Sequence, residues 1–81
     1  MELTVITPHE TAEYSIVWLE LNTPTGNLVI QPGHAPTILI LASHQPAVFR
    51  LKNGKQESVT IRHGIADIRR DRATLVVNET V

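Results

Sequence analysis

Short runs rich in β-branched residues recur along the whole chain, and each is cut off after a few residues by Pro, Gly, Asn or charged side chains. That punctuation leaves no stretch that needs to be helical, and it is the pattern of an all-β sandwich or barrel. Strands are expected near Glu2–Ile6, Ser15–Glu20, Asn27–Ile30, Thr37–Leu41, Ala47–Lys52, Gln56–Arg62, Ile65–Arg69 and Ala73–Asn78. Segments this short bury their apolar sides only by packing layer on layer, so the expected fold is a two-layer antiparallel β-sandwich of about eight to ten strands.

Two places predict how the chain reverses. In Phe49-Arg50-Leu51-Lys52-Asn53-Gly54-Lys55 the Asn-Gly pair offers the two positive-φ positions of a type I′ hairpin turn. A second hairpin is expected at Arg70-Asp71-Arg72, because Ile68 before it and Leu75 and Val77 after it alternate with polar residues. Thr37-Ile38-Leu39-Ile40-Leu41 does not alternate, which predicts a strand covered on both faces at the centre of the core.

At 81 residues the chain is one domain, residues 1–81, without length for a second core. A domain of this size buries only about 60–65% of the surface its unfolded chain exposes, so its stability alone is a few kcal/mol and a partner covering one face is expected. Seven Lys and Arg against eight Asp and Glu provide no overall field to steer it to nucleic acid or an anionic membrane. The absence of Cys removes thiol chemistry and disulfides and suggests a reducing compartment. The N-terminus has neither a basic nor an apolar leader-like region, and the longest apolar stretch is Ile38 to Ala42, so direct membrane insertion is not expected.

Residues that carry chemistry are scattered. His9, His34, His44 and His63 match no ligand spacing, and three of them neighbour Pro or Gly, as turn histidines do, so no metal is expected. Ser15, Ser43 and Ser58 lack a nucleophile elbow, and the carboxylates Glu10, Glu13, Glu20, Glu57, Asp67 and Asp71 read as solvated strand and loop charges. Gly26, Gly33, Gly54 and Gly64 are dispersed and no strand-to-helix step follows them, so no nucleotide or other cofactor is expected. Arg62, Arg69, Arg70 and Arg72 form the one basic concentration, which leaves a free-standing adaptor or nucleic-acid-binding module as the alternative reading. Base-stacking platforms need exposed aromatics, however, and of Tyr14, Trp18 and Phe49 the latter two sit within strands and are expected to anchor the core.

The segment Gly26-Asn27-Leu28-Val29-Ile30-Gln31-Pro32-Gly33-His34-Ala35-Pro36 resembles the signature of the epsilon subunit of F-type ATP synthases, in which a Gly-acidic-Leu strand runs into a Pro-Gly-His-Ala-Pro loop. An N-terminal strand ahead of the strand near Ser15, and the Gly64-Ile65 step near the last hairpin, extend the similarity over nearly the whole chain. The resemblance implies a non-catalytic rotor subunit at the foot of the central stalk, held against the gamma subunit and resting on the ring of c subunits. It further implies peripheral attachment at the cytoplasmic face of a bacterial inner membrane. Carried over to this chain, the interface candidates are Gly26, Asn27, Pro32, Gly33, His34, Ala35 and Pro36. Pro24-Thr25-Gly26-Asn27 stands where the family often has acidic residues facing the ring, so charge pairing there is not expected. Nor do these 81 residues include the C-terminal helical hairpin that inhibits hydrolysis in many members; if this is the natural length, the chain is expected to couple and assemble without that brake.

Overall fold

The computed structural model describes residues 1–78; Val81, which the sequence places directly after the last strand, lies outside them. Eight strands run in order: β1 (Glu2–Ile6), β2 (Thr11–Thr23), β3 (Gly26–Ile30), β4 (Thr37–Ile40), β5 (Gln45–Leu51), β6 (Gln56–Ile61), β7 (Gly64–Ile68) and β8 (Arg72–Val77). One layer follows the order β4-β7-β8-β1-β2, and the path continues through β5 to β6, with β3 also paired to β2. β2 belongs to both layers: Thr11 to Ser15 pair with β1, whereas its C-terminal half pairs with β5 and β3.

The transfer between layers happens at a β-bulge. Ile16 pairs with Leu51 and Trp18 with Arg50, so Val17 is an extra residue on β2. An inserted residue reverses the inward and outward alternation. Ile16 therefore faces the core, and so do Leu19 and Leu21, while Trp18 turns to the outer face and is only half-buried. The expectation that Trp18 anchors the core is thus wrong, for a backbone reason, whereas Phe49 is buried with Tyr14 beside it at a centroid distance of 4.8 Å.

Inward side chains from both layers make one aliphatic core, including Leu3, Leu19, Ile30, Phe49, Ile61, Ile68 and Leu75. Burying each such side chain contributes about 1.5–3 kcal/mol. No polar or charged side chain is buried among the described residues.

Three further expectations are corrected. β4 is the edge of its layer, paired only to β7, and Ile38 and Ile40 are 68% and 70% exposed. Its unbroken apolar run does not mark a central strand; the inward Leu39 and the outward isoleucines serve different ends. The β5–β6 hairpin forms, but not through a type I′ turn, since Asn53 is not among the positive-φ residues. Gly54 N–H donates to Leu51 C=O and Leu51 N–H to Lys55 C=O, with Gly54 at φ 94, so a three-residue loop ends in a left-handed glycine. Finally, β1 and β8 pair in parallel, making the sheet mixed where antiparallel pairing throughout was expected. Each is antiparallel to its other neighbour, β2 or β7, and the fold brings the two terminal strands side by side pointing the same way. The β7–β8 hairpin turns as expected, closed by Arg69 N–H donating to Arg72 C=O at 2.7 Å.

Candidate functional site

Pro32, Gly33, His34, Ala35 and Pro36 form the connection from β3 in one layer to β4 in the other. His34 N–H donates to Gln31 C=O at 3.2 Å, and Gly33 stands at φ 90. Pro32 followed by a positive-φ glycine is the composition of a type II turn, since Pro presets the first central residue and only Gly enters the second without strain. Gly33 N–H also donates to Arg70 C=O, which fastens the loop to the β7–β8 turn. His34 Nδ1 lies 2.8 Å from Ala35 C=O, so its ring is held against its own loop, with the prolines, Gly33 and Ala35 exposed around it. The loop is a shaped, uncharged protrusion with a single imidazole.

Gly26 and Asn27 are not part of that protrusion. They begin β3, whereas the loop follows its end. With Leu28, Ile38, Leu39 and Ile40 they line an open groove of about 420 Å³ between the free edges of β3 and β4. Asn27 Nδ2 donates to Glu20 Oε2 at 3.0 Å and to Asn22 Oδ1 at 3.1 Å, and Asn22 Nδ2 donates to Pro46 C=O. The seven candidates therefore occupy two places at opposite ends of β3.

The arginine cluster divides in the same way. Arg69, Arg70 and Arg72 gather at the β7–β8 turn, but Arg62 lies at the other end of β7. Arg69 Nε is 3.0 Å from Asp67 Oδ1, and Asp71 and Glu2 sit within the same corner, where Glu2 N–H donates to Asp71 C=O. Among the described residues, acidic and basic side chains alternate at that corner. His44 and His63 do come together, with ring centroids 6.4 Å apart and Ser43 Oγ 3.3 Å from His63 Nδ1. No group of three or more ligating side chains accompanies them among the described residues.

One surface feature escaped sequence reading. On the outer face of one layer Ile40 pairs with Ile65, Ile65 with Val76, and Val76 with Ile6, a row of aliphatic side chains crossing four strands. The signal was present as outward positions in alternating strands filled by Ile and Val, but only the register aligns them.

No curated protein sequence matches the chain. Among solved structures, a chain of the central stalk and c-ring of the Tetrahymena thermophila mitochondrial ATP synthase aligns with a TM-score of 0.83 at 20% identity, covering 100% of this chain and 65% of its own length. A chain of the Euglena gracilis mitochondrial ATP synthase OSCP/F1/c-ring assembly aligns with a TM-score of 0.88 at 21% identity, covering 98% of this chain and 51% of its own. These likenesses establish the fold, and the chain spans about half to two thirds of those relatives. The family model for the β-sandwich domain of the ATP synthase delta/epsilon chain matches residues 1–81. A match over the whole chain means that this chain belongs to the ATP synthase delta/epsilon β-sandwich family.

Proposed function

We propose that this chain is a non-catalytic rotor subunit of the central stalk of an F-type ATP synthase, coupling a gamma-type subunit to the ring of c subunits during proton-driven ATP synthesis. The observation that carries this reading is the family match over residues 1–81. The structure supports it with a rigid, aliphatic-cored sandwich suited to being clamped, whose exposed loop is held by backbone bonds at both Gln31 and Arg70. In this reading Pro32, Gly33, His34, Ala35 and Pro36 contact the rest of the stalk or the ring, and Gly26 and Asn27 form a second contact at the far end of β3. The subunit is attached peripherally, through its partners, at the cytoplasmic face of a bacterial inner membrane.

The test is co-purification of the chain with its cognate gamma subunit, and of that pair with the c-ring. A stable complex is expected, and a His34→Asp, Ala35→Arg double variant is expected to weaken attachment to the ring by about tenfold, as a charge placed in a desolvated contact does. Failure of the unmodified chain to bind the gamma subunit overturns the proposal.

A further inference from the structure

We propose that His44 and His63 form a binding site for a late first-row divalent transition ion, Zn²⁺, Ni²⁺ or Cu²⁺, at the ends of β4 and β7 far from the Pro32–Pro36 loop. The site is independent of the stalk reading, because none of its residues belongs to that loop or to β3. Two turns remote in sequence supply the ligands: His44 stands in the connection from β4 to β5 and His63 in the one from β6 to β7. Backbone bonds fix these turns against each other. His44 N–H donates to Ile61 C=O at 2.8 Å, Asn78 N–H to His63 C=O at 2.8 Å, and Leu41 N–H to Gly64 C=O at 3.0 Å. Beside His63, β7 and β8 approach so closely that a Cβ on Gly64 would lie 2.9 Å from the Val76 carbonyl oxygen. Ligands carried on strand ends held this way have little backbone freedom left to lose on chelation.

The two rings are placed for a shared ion. Their centroids are 6.4 Å apart and their planes are inclined at 60°. Two imidazoles bonded to one tetrahedral ion at about 2.0–2.1 Å put their centroids roughly 5–6 Å apart, so closure takes a side-chain movement on the order of 1 Å. Both residues are exposed and have room for it. His63 is also oriented as ligating histidines are, with Nδ1 lying 3.3 Å from Ser43 Oγ. When the Nδ1 proton is donated to that hydroxyl, Nε2 keeps its lone pair for the ion, and tautomer and ring direction are set together.

The donor set selects the ion. Imidazole nitrogen suits Zn²⁺, Ni²⁺ and Cu²⁺, whereas Mg²⁺ and Ca²⁺ require oxygen ligands, and among the described residues no third His, Cys, Asp or Glu joins the pair. Water fills the positions that two nitrogens leave open. Half the ligands of a structural zinc site imply about half its binding free energy, hence a Kd on the order of 10 µM.

The experiment is calorimetric titration of the purified full chain, carrying no histidine tag, with Zn²⁺ and Ni²⁺ at about pH 7.5, where free imidazole is mostly neutral. One ion per chain is expected, and no heat from Mg²⁺ at the same concentration. His63→Gln should weaken binding about a hundredfold, and so should His44→Asn, which keeps a residue that tolerates the left-handed backbone at φ 60. Ser43→Ala should weaken it about tenfold, and His9→Gln should leave it unchanged. Zn²⁺ at ten times Kd should raise the Tm of wild type by about 5 °C and leave both ligand variants unmoved. A further readout needs no variant: in the wild-type chain the ring signals of His44 and His63 should shift together in NMR spectra as Zn²⁺ is added, while those of His9 and His34 stay in place. Binding that survives both His44→Asn and His63→Gln, shifts spread over all four histidines, or no saturation below about 1 mM overturns the proposal, and each of these leaves the stalk reading standing.

Discussion

The two outer faces of the sandwich are built from the same alternating strand pattern and end in different chemistry. On the face of β4, β7, β8 and β1, outward positions in one register line are Ile40, Ile65, Val76 and Ile6. Across the molecule the corresponding line reads Val29, Glu20, Val48 and Ser58, where a carboxylate separates the aliphatics, and the next brings Asn27 and Asn22 into hydrogen bonds with each other and with Glu20 and Pro46. Polar groups that satisfy one another gain little from a partner, whereas contiguous aliphatic surface gains about 25 cal/mol for every Å² it hides. The difference teaches that the same alternation can leave one outer face with apolar surface still to hide and the other with polar groups already satisfied.

The strongest way to break the contrast is to compare inward and outward neighbours on the same strand. Leu75 is fully buried, and Leu75→Ala should cost about 3 kcal/mol in denaturant melts, from lost transfer energy and the cavity left behind. Its neighbour Val76 is 44% exposed, and Val76→Ala should cost under about 1 kcal/mol. If the two losses are equal, Val76 supports the fold, and the outer row loses its meaning as a spare surface.

A smaller effect is expected where the two layers are joined. Gly33→Ala forces a Cβ into φ 90 and should destabilise the domain by about 1 kcal/mol, read as a lower denaturation midpoint with an unchanged slope.

The smallest effect belongs to the polar face. Asn27→Ala removes exposed hydrogen bonds to Glu20 and Asn22 and should lower stability by about 0.5 kcal/mol in denaturant melts. A loss as large as that of Leu75→Ala would show that this face, too, holds the fold together.

Much of this was legible beforehand. All eight strands fall where β-branched runs predicted them, because turn residues interrupt the chain before any other regular structure can form. The Pro-Gly-His-Ala-Pro loop was legible too, since Pro32 and Gly33 encode their turn locally. The bulge at Val17 was not, because nothing about Ile16-Val17-Trp18 distinguishes an extra residue from regular alternation until β5 is placed opposite. Gly54 also took its left-handed conformation alone, leaving Asn53 outside the turn type that the dipeptide favours.

By itself, then, the sequence determined the strand inventory, the hairpins, the joining loop and the family, all of which rest on local backbone preference and short-range pattern. Tertiary structure alone decided that β4 is an edge, that the terminal strands pair in parallel, and that Ile6, Ile40, Ile65 and Val76 stand in one row. These depend on which strands become neighbours and in what register, contacts between residues distant in the chain that no local propensity encodes.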